Sequence, residues 1–424
     1  MVRLEEHKTG TENKAMEVLP LLPKVYIPLS QHIGKICEPQ VKIGDYVLAG
    51  QRIGGIQAHV YAPVHASLSG KVIAIQDWPH PVLGRCKAIV IESDGKDARQ
   101  PQSALRQQDE VTELTPEQLR NIVLEAGIVG MGGASFPSHI KLNPPKPVDT
   151  LIINGAECEP YLTGDYRLML EKTEEILQGI AVVARCLGAK QVYIAIEDNK
   201  PEAIEKFKAQ STDFKVEVLK TQYPQGGEKQ LVLNILGKEI PSGKLPFDIG
   251  VVVHNVGTVF AIYEAVYLHK PLYERVVTVT GSCISNPKNL MVRIGTPIKE
   301  LIDFCGPVKE EPAKIIVGGP MMGIAQFSDK TPVIKSTTGI LLFNKKETMP
   351  SEELPCIRCG ACVRECPVFL MPTLISLASQ KNLWPQTKVY GASDCIECGI
   401  CSYVCPANIR LVQHIKRAKA ELIR

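Results

Sequence analysis

The chain has 424 residues, with 48 Lys and Arg against 45 Asp and Glu, a formal net charge of +3 and 45% hydrophobic residues. That length holds about three domains, the apolar content excludes disorder, and the near-balanced charge argues against nucleic-acid binding, which needs a basic excess. The opening MVRLEEHKTGTENKAMEVLP lacks the apolar core of a secretory signal, and the most apolar stretch, 247–268, is broken by Asp248, His254, Asn255 and Glu264, so no bilayer span is expected.

In chain order, residues 22–77 read as short strands: KVYIPL, VKIGDYVLAGQRIG and HASLSGKVIAI. The pattern Gly44-Asp45-x-Val47-x-x-Gly50-Gln51, followed by Ala62-Pro63 and Ser69-Gly70-x-Val72, resembles the barrel-sandwich fold of biotinyl and lipoyl carriers. Those carriers modify a lysine at a hairpin tip. The corresponding tip here, Pro63-Val64-His65-Ala66-Ser67, has none, so a docking or scaffold role is expected. Residues 97–114 are polar and read as a linker.

From Thr115 the pattern becomes alternating helices and strands. PEQLRNIVLEAG is an amphipathic helix opened by Thr115 and Pro116 and closed by Gly127. DTLIING, QVYIAIE, FKVEVLK and DIGVVVHN suit buried parallel strands, with helical segments such as YRLMLEKTEEILQGIAVVARCLG between them. A Rossmann-like α/β domain follows. Its glycine loop, Gly127 to Pro137, comes after a helix and departs from the dinucleotide spacing. Gly226-Gly227 precede a helix beginning near Glu228, which places backbone amides where a phosphate can sit. The loops Asn154–Tyr161 and His254–Thr258 follow strands, at the sheet edge where ligands bind. Together the three favour a nucleotide or flavin pocket. Residues 275–345 return to short strands with one helix, ELIDFCG, and the turn Gly318-Gly319-Pro320-Met321-Met322-Gly323 reads as packing.

The most specific signal lies at the end. Of 14 cysteines, eight fall in two runs, Cys356-x2-Cys359-x2-Cys362-x3-Cys366-Pro367 and Cys395-x2-Cys398-x2-Cys401-x3-Cys405-Pro406. Each recurs 39 positions on (395−356, 398−359, 401−362, 405−366). This is the bacterial-ferredoxin run for two [4Fe-4S] clusters, in which the cysteine before proline ligates the other cluster. Cys356, Cys359, Cys362 and Cys405 are therefore assigned to one cluster, and Cys395, Cys398, Cys401 and Cys366 to the second. Zinc would use separated C-x2-C pairs and leave half of each run unexplained.

GIVGMGGASFPSHIKL and NGAECEPYLTGD resemble the flavin- and NADH-binding subunit of respiratory complex I. IPLSQHIG, ECEPYLTGD, YPQGGEKQL, HNVGT, GGPMMG, CIRCGACV and CIECGICSYVCPANI, in that order, resemble the RnfC family of the Rnf ion-translocating oxidoreductase. That resemblance implies four modules: a barrel-sandwich β module (1–96), a Rossmann-like parallel α/β flavin domain (115–270), a soluble-ligand-binding β-grasp module (271–345) and a twin [4Fe-4S] ferredoxin-like α+β domain (350–424). It implies FMN and NAD(H) besides the clusters, with contacts at Gly130, Gly132, Phe136, Lys141, Asn154, Glu157, Tyr223, Gly226, Gly227, Glu228, Asn255 and Thr258. Phe136 and Lys141 match positions near the nicotinamide nucleotide, and Glu157 and Glu159 are expected to orient the ribityl chain or nucleotide. Met131 and Cys158 stand where the complex I pattern has arginine and serine. The implied role is a peripheral subunit on the cytoplasmic face of a membrane complex, a translocase coupling ferredoxin:NAD oxidoreduction to ion pumping, with the other complex subunits and a ferredoxin-linked electron-transfer subunit as partners. The alternative is a soluble relative feeding electrons from NADH to a dedicated reductase. No general acid–base pair is required, so His139 and His254 are expected to be structural.

Iron analysis and EPR on anaerobically purified protein should give about eight irons per chain and two interacting centres. Tightly bound zinc without iron would overturn the assignment.

Overall fold

The computed structural model describes residues 1–100, 104–349 and 352–423. Residues 24–93 build two small sheets. One runs antiparallel in the order Lys24–Pro28, Gly84–Ser93, Gly70–His80, Tyr46–Val47, and the other holds Glu38–Pro39, Arg52–Gly55 and Val64–His65. Val25, Ile27, Ile53, Val64, Val72, Ile89 and Ile91 turn inward to a shared core. Gly70 lets the strands close: a Cβ there would lie 1.9 Å from the Glu92 carbonyl oxygen.

The hairpin tip Pro63–Ser67, which a carrier would expose, is buried throughout. It is plugged from elsewhere in the chain. Lys335 Nζ, from the later β-rich module, donates to the Pro63 carbonyl at 2.7 Å and to the Gly127 carbonyl at 2.6 Å. Three modules thus meet at one buried amine. Burial pushes Lys335 down to about 7, and a neutral amine has two N–H groups for these two carbonyls. His65 beside it is held neutral, pushed down to about 3 by burial and then by Lys335.

The linker reading of 97–114 needs correction at its far end, while residues 101–103 lie outside the described residues. Gln108–Glu113 is a helix, fixed by the Arg185 guanidinium, which donates to the carbonyls of Val111 at 2.7 Å, of Thr112 at 2.5 Å and of Leu114. Polar composition hid it because its partner lies 70 residues away.

The α/β domain contains strands β1 (Thr150–Gly155), β2 (Gln191–Glu197), β3 (Lys215–Leu219) and β4 (Val251–Asn255), all parallel in the order β3-β2-β1-β4. Its helices are α1 (Pro116–Glu125), α2 (Ser138–Lys141), α3 (Gly164–Glu171), α4 (Thr173–Leu187), α5 (Pro201–Gln210), α6 (Glu228–Leu236) and α7 (Val256–Leu268). Strand residues alternate between two cores. Leu151, Ile153, Ile194, Ile196 and Val252 face α1, α4 and α7, whereas Ile152, Tyr193, Ala195, Val251 and Val253 face Leu231 and Val232 of α6. Both faces are covered, which explains the continuous apolar runs. Thr115 caps α1 with a reciprocal Gln118 bond, and Gly127 follows it at φ +66°.

The β-rich module is a six-stranded mixed sheet in the order Glu17–Val18, Lys288–Arg293, Glu274–Thr280, Gly339–Phe343, Lys314–Val317, Ile324–Gln326, with helix Ile298–Phe304 beside it. Its first strand comes from ahead of the barrel module. Residues 1–16 also leave that barrel and run across the α/β domain: Val2 and Tyr223 exchange backbone hydrogen bonds at 3.1 and 2.8 Å. Where the resemblance implies an α+β cluster domain, the described elements of residues 352–423 are helical, the longest being Pro372–Gln380 and Leu411–Ile423. No helix among the described residues is long and apolar enough to cross a membrane.

Lys335 gives a pH signature. Its pKa is about 7 folded against 10.5 as the free side chain, so the unfolded chain binds the extra proton between those values. Its contribution is present above 10.5 and is lost as pH falls through 7. Lys335→Met should flatten the rise in denaturant stability between pH 7 and 10, while costing about 1–3 kcal/mol for each carbonyl left unpaired.

Candidate cofactor sites

The nucleotide loops meet at the carboxyl ends of β1 and β4. Asn255 caps α7, its Oδ1 accepting from the Gly257 and Thr258 amides at 2.9 and 3.3 Å. The glycine loop lies on this helix terminus: Met131 N–H donates to Thr258 Oγ1 at 2.9 Å, and a Cβ on Gly132 would come within 2.9 Å of the Asn255 side chain. Gly130 N–H donates to the Phe136 carbonyl at 2.9 Å, closing the loop. On the other side, Asn154 Nδ2 donates to the Gly226 carbonyl at 2.9 Å, and Lys141 Nζ pairs with Glu228 Oε1 at 2.8 Å. Gly227 is the N-cap of α6 and gives it no side-chain cap.

The structure therefore brings Gly130, Gly132, Phe136, Asn255 and Thr258 together on one wall, and Asn154, Gly226, Gly227, Glu228 and Lys141 on the other. Tyr223 and the two glutamates behave differently. Tyr223 is 1% exposed and donates its hydroxyl to the Cys398 carbonyl at 2.8 Å. Glu157 commits its carboxylate to the first turn of α3, accepting from Asp165 N at 2.7 Å and Tyr166 N at 3.1 Å. Glu159 accepts from the Met321 and Met322 amides at 3.0 and 2.9 Å, and burial pushes it up to about 7. All three tie loops together, a role invisible without the fold. Sequence reasoning also passed over Asp165, whose Oδ2 accepts from Asn255 Nδ2 at 2.6 Å. Burial, with Glu157 close by, pushes Asp165 up to about 6; no motif marked it. His139 and His254 are pushed down by burial and stay neutral.

This arrangement fits a flavin mononucleotide. The open backbone at Gly133 has nothing within 4 Å of a would-be Cβ, the first turn of α6 has amides left for a phosphate, and His254 Nε2 is a buried ring nitrogen without a partner.

In the C-terminal module, Cys366, Cys395, Cys398 and Cys401 line one cavity with Pro367, Leu370, Val412 and Ile415. The donor set combines one cysteine of the first run with three of the second. Gly360 and Gly399 stand at φ +74° and +81°, turning each run back on itself. The second-run cavity lies at the seam with the α/β domain. Tyr223 reaches Cys398, Gln230 Nε2 of α6 donates to the Pro367 carbonyl at 3.0 Å, and a Cβ on Gly399 would lie 3.0 Å from the Met321 carbonyl oxygen. Cys356 and Cys359 are exposed. The four thiols fit a cubane in an apolar cavity.

A parallel α/β flavin domain joined to a dicluster module defines an iron–sulfur flavoprotein of electron transfer. Family models match along the chain in order: the RnfC barrel sandwich hybrid domain at 2–96, the Nuo51 FMN-binding domain at 123–264, the SLBB domain at 276–325 and a 4Fe-4S dicluster domain at 355–409. The RnfC-type component of the proton-translocating ferredoxin:NAD(+) oxidoreductase complex of Clostridium ljungdahlii is 48% identical over 99% of this chain and 93% of its own length. Its counterpart in the Na(+)-translocating complex of Acetobacterium woodii is 47% identical over 94% and 91%, and that in the ion-translocating oxidoreductase complex of Rhodobacter capsulatus is 46% identical over 99% and 82%. Among solved structures, the H2-reduced NAD+-reducing [NiFe]-hydrogenase shares the fold at TM-score 0.51 and 18% identity, over 72% of this chain and 63% of that one. The chain belongs to the RnfC family.

Cys405→Ala should damage the cluster of Cys356, Cys359 and Cys362 and spare the one at the seam. EPR should then retain one cluster signal, and loss of the seam cluster instead would reverse the assignment.

Proposed function

We propose that the chain is the electron-transfer subunit of an ion-translocating ferredoxin:NAD oxidoreductase complex, linking NAD(H) to single-electron carriers. The observation that carries this reading is the seam, where Tyr223 of the nucleotide domain is hydrogen-bonded at 2.8 Å to the backbone of the cluster ligand Cys398. A bound flavin exchanges hydride pairs with nicotinamide and single electrons with iron–sulfur clusters.

The chain's own residues supply binding and spacing. Gly132 and Asn255 form one wall for the flavin, Gly226 and Gly227 bring backbone close to its phosphate, and Lys141 with Glu228 closes the far side. Phe136, on the glycine loop, borders the approach for the nicotinamide nucleotide. Tyr223, Gln230 and the Lys229–Asp394 pair at 3.7 Å fix the cluster module against this domain, so the gap between cofactors is set by packing. The cluster of Cys366, Cys395, Cys398 and Cys401 is then the one next to the flavin. That of Cys356, Cys359, Cys362 and Cys405, with two exposed ligands, faces a partner in the complex. The division into 1–96, 115–270, 271–345 and 350–424 follows the same reading. The chain sits as a peripheral subunit at the cytoplasmic face of the membrane, held by the other subunits of the complex.

Gly227→Leu tests the flavin wall. Its side chain would start 2.4 Å from Gln230 Oε1 and fill the space before α6. The variant should lose flavin and NADH oxidation while its clusters still accept electrons from dithionite. Gln230→Ala, which disturbs only the seam contact, should keep its flavin. Retention of flavin and full NADH activity in Gly227→Leu would overturn the assignment.

A further inference from the structure

Two lysines hold the Asn154–Glu159 loop from behind. Lys200 Nζ donates to the Ala156 carbonyl at 2.6 Å, and Lys8 Nζ donates to the next carbonyl, that of Glu157, also at 2.6 Å. Their charge balance differs. Lys200 is paired with Glu197 at 2.9 Å and also donates to Asn199 Oδ1 at 2.9 Å. Lys8 is 6% exposed, and among the described residues its side chain has the Glu157 carbonyl as its one hydrogen-bond acceptor and no carboxylate at ion-pair distance. An ammonium has three N–H groups, so two are unused. They border a small cavity that Lys8 lines with Cys158, Glu197 and Tyr223, where Glu197 Oε1, on a side chain 1% exposed, also lacks a partner. Burial and Lys200 push the Lys8 pKa down, while Glu157, Glu197 and Cys158 pull it up.

Lys8 is held there by the segment that carries it. Val2 pairs with Tyr223, the Glu6 carbonyl accepts from Tyr161 N at 2.8 Å, and Thr163 Oγ1 donates to Thr11 Oγ1 at 2.7 Å. The far side of the same loop offers Asn154 and faces Gly226, two of the residues proposed for the flavin. A cation with no carboxylate contact, in a low-dielectric interior, acts over such a distance far more strongly than it would in water.

We propose that Lys8 is a positioning residue for the flavin reaction, its ammonium raising the potential of the nucleotide loop so that the reduced flavin is favoured. The proposal rests on the flavin reading above. Hydride transfer from NADH brings two electrons and one proton to the oxidised ring and releases NAD+. The neutral ring system becomes an anion, and that added charge is what a nearby cation stabilises.

The test is potentiometric titration of the flavin in the full, cofactor-loaded chain, with cluster EPR as a check on folding. Lys8→Gln keeps a donor for the Glu157 carbonyl and removes the charge; Lys8→Arg keeps both. Lys8→Gln should lower the flavin midpoint by roughly 30 mV, about a tenfold shift against the reduced form of a two-electron couple, and Lys8→Arg should stay near wild type. Loss of flavin from Lys8→Gln alone also reports the charge. An unshifted midpoint in Lys8→Gln, or equal loss of flavin from both variants, would make Lys8 a steric anchor and overturn the proposal. A wild-type chain that purifies with clusters and no flavin refutes the cofactor reading itself, a result distinct from either.

Discussion

Backbone polar groups leaving the end of β1 must be satisfied away from water, and that constraint organises the molecule. In the stretch Asn154–Glu159, the Ala156 carbonyl takes Lys200, the Glu157 carbonyl takes Lys8, and Asn154 closes onto Gly226. The Glu157 carboxylate holds α3, and the Glu159 carboxylate holds the Met321–Met322 turn of the β-rich module. Each buried group left unpaired would cost about 1–3 kcal/mol. Partners come from the leading segment, the α/β domain and the β-rich module, so satisfying one loop docks three parts of the chain.

The docking has a consequence for electron transfer. The β-rich turn held by Glu159 packs its Met321 carbonyl against Gly399 of the second cysteine run, and Tyr223 reaches the same run from the α/β side. Both contacts fall on the Cys398–Gly399 corner. The cluster module is therefore fixed by backbone contacts, while its first run, with Cys356 and Cys359, stays at the surface. Lys335 plays the matching part at the opposite junction, filling the hairpin tip that carrier domains leave open and joining it to Gly127.

The two departures from the complex I pattern have local explanations. Met131 replaces an arginine and is buried in the α/β core, while its amide, not its side chain, serves the loop by donating to Thr258. Cys158 replaces a serine, and its sulfur accepts the Gly226 amide at 3.3 Å. Burial pushes that thiol up to about 12, which keeps it protonated. A hydroxyl in its place could accept the same bond.

The sequence alone determined the cluster ligands, the four buried strands and the glycines beside the nucleotide, because each depends on short-range rules: a cysteine spacing, an apolar run, a turn before a helix. It also located α6 to the residue, since Gly227 and Glu228 mark its start. Tertiary structure decided the roles of Tyr223, Glu157 and Glu159. Their side chains could serve a cofactor or a neighbouring loop, and only the arrival of Cys398, the α3 terminus and Met321 settles which. The same holds for Lys8, Asp165 and Lys335, ordinary polar residues in sequence that become buried charges or donors once segments 60 to 270 residues apart close around them. Desolvation gives these groups their importance, and a linear sequence does not reveal which of its charges will be taken out of water.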